Sequence, residues 1–167
     1  MELAAAATGS GDTALAATAR QGALKYYDLL VSQYPDAAQS DEALYFAALE
    51  HERHGDEAWR VLDLQLIAKH SQSKYVPYAY FAFGEGFARQ SVADPAKIDL
   101  GLQAFRKVVG FPPPTNKLYG WAWVRIGNLD DARGNAAEAQ AAYAKAKEYA
   151  ATYGDDVSGG LPGAPAR

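Results

Sequence analysis

The side chains best suited to chemistry lie in the run His51-Glu52-Arg53-His54. Its two histidines are one helical turn apart and could contact the same metal ion, since imidazole is a common zinc ligand. The zinc-protease motif, however, places its histidines four positions apart rather than three. A third ligand would have to be Glu50 or a distant residue. The alternative is that His51 packs partly buried while His54 is solvated at a helix end, and we predict no metal site.

Other candidate catalytic groups fail on geometry. Adjacent residues on a helix point about 100° apart, so the pair Asp130-Asp131 cannot easily share a site. Asp155-Asp156 lies in a stretch rich in glycine and proline. Gly84-Glu85-Gly86 falls inside a predicted helix rather than after a strand, which does not fit a phosphate-binding loop. We therefore expect a protein that is not an enzyme and that carries no cofactor.

Composition excludes several further classes of function. The formal net charge is -4 and no run of basic residues occurs, so we predict no binding to nucleic acid. Cysteine is absent, which rules out disulfides, thiolate chemistry and a lipobox. No apolar run approaches the roughly 20 residues of a membrane helix, so we expect no direct membrane insertion.

The N-terminus does not resemble a signal peptide, because Glu2 is acidic and the first basic residue is Arg20. Taken literally, this predicts a cytoplasmic protein. A mature form, or a fragment of a longer chain, would have the same appearance, so the sequence leaves the compartment unknown.

Apolar spacing, together with the positions of proline and glycine, predicts an all-α chain of about seven helices joined by short links. Short links make neighbouring helices antiparallel. We expect residues 1–12 to be a flexible lead, 13–153 a helical repeat domain and 154–167 a disordered tail. The predicted helices span approximately 13–34, 41–55, 57–69, 76–90, 95–110, 117–133 and 136–153.

One spacing recurs three times along the chain. Each copy has a large apolar residue, followed three and four positions later by an apolar and a small residue, which share one helical face. A small residue at that position allows a second helix to approach closely. The copies are Ala43-Leu44-x-x-Ala47-Ala48, Ala79-Tyr80-x-x-Phe83-Gly84 and Ala122-Trp123-x-x-Ile126-Gly127.

The last copy is followed by Gly134-Asn135 and by Ala139-x-x-x-Tyr143-x-x-Ala146, and the whole pattern resembles the tetratricopeptide repeat (TPR). The aromatic residue expected at the eleventh position is replaced by Asp130. The resemblance covers roughly residues 14–153. It implies a right-handed TPR-like solenoid made of three helix pairs and one leading helix.

The turns between repeats are longer than in the regular TPR, and Tyr34-Pro35 closes the leading helix. In these features the chain is similar to bacterial cell-envelope members of the superfamily. Those include periplasmic partners of the Tol-Pal system and outer-membrane assembly lipoproteins. This second resemblance implies a location in the periplasm or cell envelope.

In the TPR superfamily the first helix of each pair lines a concave groove, and the resemblance implies a groove here that binds a partner peptide. The alternative is that the aromatic residues at these positions simply pack against neighbouring helices. Too few basic residues match for a carboxylate clamp. The implied groove residues are Tyr45, Phe46, Tyr78, Phe81, Glu85, Trp121, Arg125 and Asn128.

The resemblance therefore implies a non-catalytic protein–protein interaction module, either an adaptor or an assembly scaffold, that binds a protein or peptide partner. The alternative is a structural fragment of a longer array that self-associates through its open ends. The leading helix motivates the alternative, because no hairpin partner precedes it. A homo-oligomer formed through the solenoid ends would follow.

Overall fold

The computed structural model describes residues 13–162 and is all-helical over that range, as predicted. A short 3-10 helix, Ser158–Gly160, follows the last α-helix. The predicted flexible lead, residues 1–12, lies outside the described residues. Seven α-helices are present in the described range: α1 Thr13–Gln33, α2 Ser40–Arg53, α3 Ala58–Lys69, α4 Val76–Ser91, α5 Lys97–Val108, α6 Tyr119–Ala132 and α7 Ala136–Tyr153.

The chain divides into two compact units, Met1–Val76 and Pro77–Arg167. The sequence predicted one repeat domain over 13–153, so this division was not anticipated. None of the helices within 13–162 is both long and apolar enough to cross a membrane.

The first unit is built around α2, which packs against both α1 and α3. All four apolar or small residues of the first sequence copy are buried, as the shared helical face predicts. From α3, Trp59 and Leu66 complete this core. The α2–α3 turn contains Gly55, whose φ of 70° is a left-handed conformation that glycine adopts without strain.

In the second unit, the small residues of the motif allow the close approach that the sequence predicts. A Cβ atom added to Gly84 of α4 would lie 2.6 Å from the Phe105 ring of α5. A Cβ atom added to Gly127 of α6 would lie 2.4 Å from the Tyr143 ring of α7. In both hairpins an aromatic ring therefore occupies the space that a side chain would need.

The contacts between α6 and α7 also establish that these helices run antiparallel. Gly120, at the start of α6, lies against Tyr149 near the end of α7, whereas Gly127 meets Tyr143 earlier in α7. Residues later in α6 therefore contact residues earlier in α7. This is the antiparallel arrangement expected when a short connection joins two helices.

The long turn between α5 and α6 is organised by a buried asparagine. The Asn116 amide donates to the carbonyl oxygens of Val108 and Phe111, both at 2.8 Å. Its Oδ1 accepts from the Leu118 backbone N–H at 3.1 Å. These bonds satisfy carbonyl groups at the end of α5, where Pro112, Pro113 and Pro114 cannot donate. These hydrogen bonds therefore fix the conformation of the turn that leads into α6.

The segment after α7 differs from the predicted disordered tail. Gly154 ends the helix in a left-handed conformation, and Val157 is then buried against Val124 and Ala146. A Cβ atom added to Gly160 would lie 2.6 Å from the Trp121 ring, so the backbone rests directly on that indole. Residues 163–167, the rest of the predicted tail, lie outside the described range.

Candidate functional site

Four aromatic rings form a continuous patch on the first unit, which we call the aromatic wall: Tyr27, Tyr45, Phe46 and Tyr75. Tyr45 and Tyr75 are stacked, with ring centroids 4.6 Å apart. Phe46 lies 5.0 Å from Tyr45 and stacks on Tyr27 at 5.7 Å. All four side chains are partly exposed. Two of them, Tyr45 and Phe46, are predicted groove residues.

The wall is assembled from three parts of the chain, and a hydrogen bond fixes the most distant one. Tyr45 and Phe46 belong to α2 and Tyr27 to α1, while Tyr75 comes from the turn before α4. Ser73 Oγ donates to Asp41 Oδ2 at 2.6 Å, which ties this turn to the start of α2. The Tyr75 backbone N–H donates to the same Ser73 hydroxyl oxygen. Tyr75 is therefore held beside Tyr45.

Two carboxylates give the aromatic wall a negative environment. Glu42 is exposed and precedes Phe46 by four residues, one turn along the same face of α2. Glu50 follows Phe46 by four residues and is fully buried. Its Oε1 accepts from Arg53 at 2.6 Å, whereas its Oε2 has no hydrogen-bond partner. Burial raises the pKa of Tyr27, and the charges of Glu42 and Glu50 raise that pKa further.

In the second unit, three predicted groove residues make contacts within the protein. Phe81 meets the Phe105 ring edge-on, with centroids 5.2 Å apart, and packs against the hydrophobic core. Arg125 of α6 forms an ion pair and hydrogen bond with Glu85 of α4. These contacts favour the packing alternative for Phe81 and neutralise the charges of Glu85 and Arg125.

The remaining predicted groove residues differ in environment. Trp121 is partly buried beneath the segment that contains Gly160. Asn128 Oδ1 lies 2.9 Å from the Tyr143 hydroxyl, which also donates to Asp131 at 2.8 Å. Tyr78 is partly buried at the start of α4. The structure therefore brings Tyr45 and Phe46 together in a partly exposed cluster, while Trp121 and Asn128 are engaged by other parts of the chain.

A second aromatic feature, not anticipated as a site, lies around Trp123. The Lys145 ammonium is 4.1 Å from the Trp123 ring centroid, and the indole N–H is buried without a hydrogen-bond partner. Three tyrosine rings follow one another from Trp123. The centroids of Trp123 and Tyr119 are 6.3 Å apart, those of Tyr119 and Tyr149 are 5.2 Å apart, and those of Tyr149 and Tyr153 are 4.9 Å apart. They border a cavity of about 360 Å³. Burial and the nearby Asp155 raise the pKa of Tyr149 to about 12.

One of the two clustered histidines, His51, faces two carboxylates. His51 Nδ1 lies 2.7 Å from Asp56 Oδ2, and its Nε2 lies 3.7 Å from Asp28 Oδ1. The Ala58 backbone N–H donates to Asp56, and this bond together with His51 lowers the Asp56 pKa. His54 is exposed. Within residues 13–162, no three His, Asp or Glu side chains are grouped so that they could hold a metal ion.

Comparison with protein-family models gives no match for this chain. Comparison with curated proteins gives no significant match either.

Proposed function

We propose that this chain is a non-catalytic interaction module that binds a peptide segment of a partner protein. We further propose that its helix pairs are TPR-like hairpins and that they form a right-handed solenoid. The peptide lies on the exposed side of α2, across the aromatic wall. This site lies entirely within the first unit and needs no contribution from the second.

The hairpin contacts support the TPR-like part of the proposal. Gly84 and Gly127 hold equivalent places in two sequence copies, and each receives an aromatic ring from the following helix. The recurrence of one contact at one motif position is the expected signature of a repeated supersecondary unit.

The aromatic wall is the single observation that carries the peptide-binding part. Partly exposed tyrosine and phenylalanine rings supply a large contact area, and holding them still costs little conformational entropy. Here the rings are also held in place by one another and by the bond between Ser73 and Asp41. Such prearranged aromatic clusters are typical of binding hot spots.

Selection from a random peptide display library tests this function. We expect the protein to enrich a set of peptides whose affinity falls at least about tenfold in Tyr45→Ala, because a central aromatic anchor contributes about 2 kcal/mol or more. Tyr34→Ala is the matched control, since Tyr34 is exposed in the same unit and lies outside the wall. Failure to enrich any peptide, or equal binding by Tyr45→Ala, would contradict the proposal.

A second candidate function is self-association through α1. Leu15, Tyr26 and Leu29 are 43%, 73% and 46% exposed, and their spacing places them on one helical face. Gly22 lies between them on that face, and a Cβ atom there would meet nothing within 4 Å. Exposed apolar side chains that share one helical face favour contact with another protein surface.

Sedimentation over a range of protein concentrations tests the second candidate. We expect a concentration-dependent dimer that Tyr26→Glu converts to a monomer, because the new charge would be buried at the contact. Val92→Glu serves as the control, since Val92 is exposed in the second unit. A monomer at every concentration of the unmodified protein would rule this candidate out.

A further inference from the structure

The aromatic wall combines two properties that select for a positively charged ligand. Partly exposed aromatic faces attract cations through the negative charge on the ring face. The flanking Glu42 and the buried Glu50 add negative potential from the same face of α2. An acidic or phosphorylated segment would be repelled by the exposed Glu42.

The wall already binds one cation of this protein. The Lys74 ammonium lies 4.9 Å from the centroid of the Tyr75 ring. Lys74 is itself exposed, so this contact forms at the solvent-facing border of the wall. The contact shows that one face of the Tyr75 ring accepts a cation.

The unsatisfied oxygen of Glu50 is a further indication. Arg53 engages Oε1 only, and a buried carboxylate oxygen without a donor is costly. Ion pairing with Arg53 offsets much of the Glu50 charge, so the exposed Glu42 is the main source of negative potential at the rings. Burial is the first cause of the raised pKa of Tyr27, the charge of Glu42 is the second and that of Glu50 the third.

We propose that the anchor residue recognised by the aromatic wall is an arginine of the partner peptide, stacked on the rings and paired with Glu42. Arginine fits better than lysine, because its planar guanidinium stacks on aromatic faces, pairs with a carboxylate and is more weakly hydrated. This inference rests on the proposed function, since it names the ligand chemistry of the same site.

Peptides from the display library, measured on the full chain, test the inference. We expect binders that depend on Tyr45 to be enriched in arginine. Replacing that arginine by citrulline, which is neutral and nearly the same shape, should weaken binding about tenfold. Glu42→Gln should weaken the arginine peptide but leave the citrulline peptide unchanged.

Two further variants sharpen the interpretation. Glu138→Gln removes the same formal charge from the exposed surface of α7 and should not alter binding. Lys74→Gln removes the cation that now occupies Tyr75 and should tighten the arginine peptide about two- to threefold, since a competing cation–π contact is worth about 0.5 kcal/mol or more at an exposed site.

The outcomes separate this inference from the function on which it rests. Tyr45-dependent binders without arginine, or equal affinity of the arginine and citrulline peptides, would overturn the inference and leave the peptide-binding function standing. Weaker binding by Lys74→Gln would also overturn it. If no peptide is enriched, both the function and the inference fail.

Discussion

Gly127→Ala is expected to lower the free energy of unfolding by about 1–3 kcal/mol, although alanine is the better helix former. The added methyl group would lie 2.4 Å from the Tyr143 ring. That ring is buried, and its hydroxyl is bonded to Asp131 and lies beside Asn128, so it cannot move aside without losing those contacts. Urea denaturation followed by circular dichroism measures the loss.

Gly22→Ala is the matched control for this prediction. It makes the same chemical change within a helix, but the new methyl group would meet nothing within 4 Å. It should therefore stabilise the protein by about 0.5–1 kcal/mol through helix propensity. In the double variant Gly127→Ala, Tyr143→Leu, the combined loss should be smaller than the sum of the two single losses, since the clash is removed. Equal effects of Gly22→Ala and Gly127→Ala would contradict the close helix contact.

Stability is expected to fall between about pH 4 and pH 7 because of Asp63. This residue of α3 is 3% exposed, and burial, followed by repulsion from Glu52, raises its pKa from 3.8 to about 7. The native state therefore holds the proton more tightly than the unfolded chain. The stabilisation is complete below the unfolded pKa and is lost as the pH rises through the native pKa. A shift of this size corresponds to about 4 kcal/mol.

Asp63→Asn measures this contribution, since asparagine keeps the shape and cannot ionise. We expect the stability difference between the variant and the unmodified protein to increase in favour of the variant from pH 4 to pH 8. Asp99→Asn makes the same substitution at an exposed ion pair with Arg133 and is the matched control. A difference between Asp63→Asn and the unmodified protein that is constant over this range would exclude the proposed protonation.

The helices could be predicted closely from local signals. Glycine and proline positions place the C-terminal ends of α1, α2 and α7 within about two residues of those in the structure, because they act on the backbone locally. The spacing of the motif also predicted a close helix contact at Gly127. The burial of Asp63 could not be predicted from the sequence, because charged residues are usually exposed to solvent.

The candidate site was predictable only in part. The helical spacing of α2 places Tyr45 and Phe46 on one face, but nothing local indicates that Tyr27 and Tyr75 join them. That depends on how α1 packs and on the hydrogen bond from Ser73. Arg125 and Glu85 were both predicted, yet their pairing depends on the separation of α4 and α6. The ring cluster and the ion pair both depend on tertiary contacts, which the periodicity of a single helix cannot predict.

The segment that covers Trp121 has a thermodynamic consequence for binding on the second unit. Any ligand that binds the part of this indole covered by Gly160 must first displace that residue and break the burial of Val157. Its apparent affinity is then the intrinsic affinity multiplied by the small fraction of molecules in which the segment has detached. Measurements on a chain truncated before Asp155 would therefore overstate how tightly the intact chain holds such a ligand.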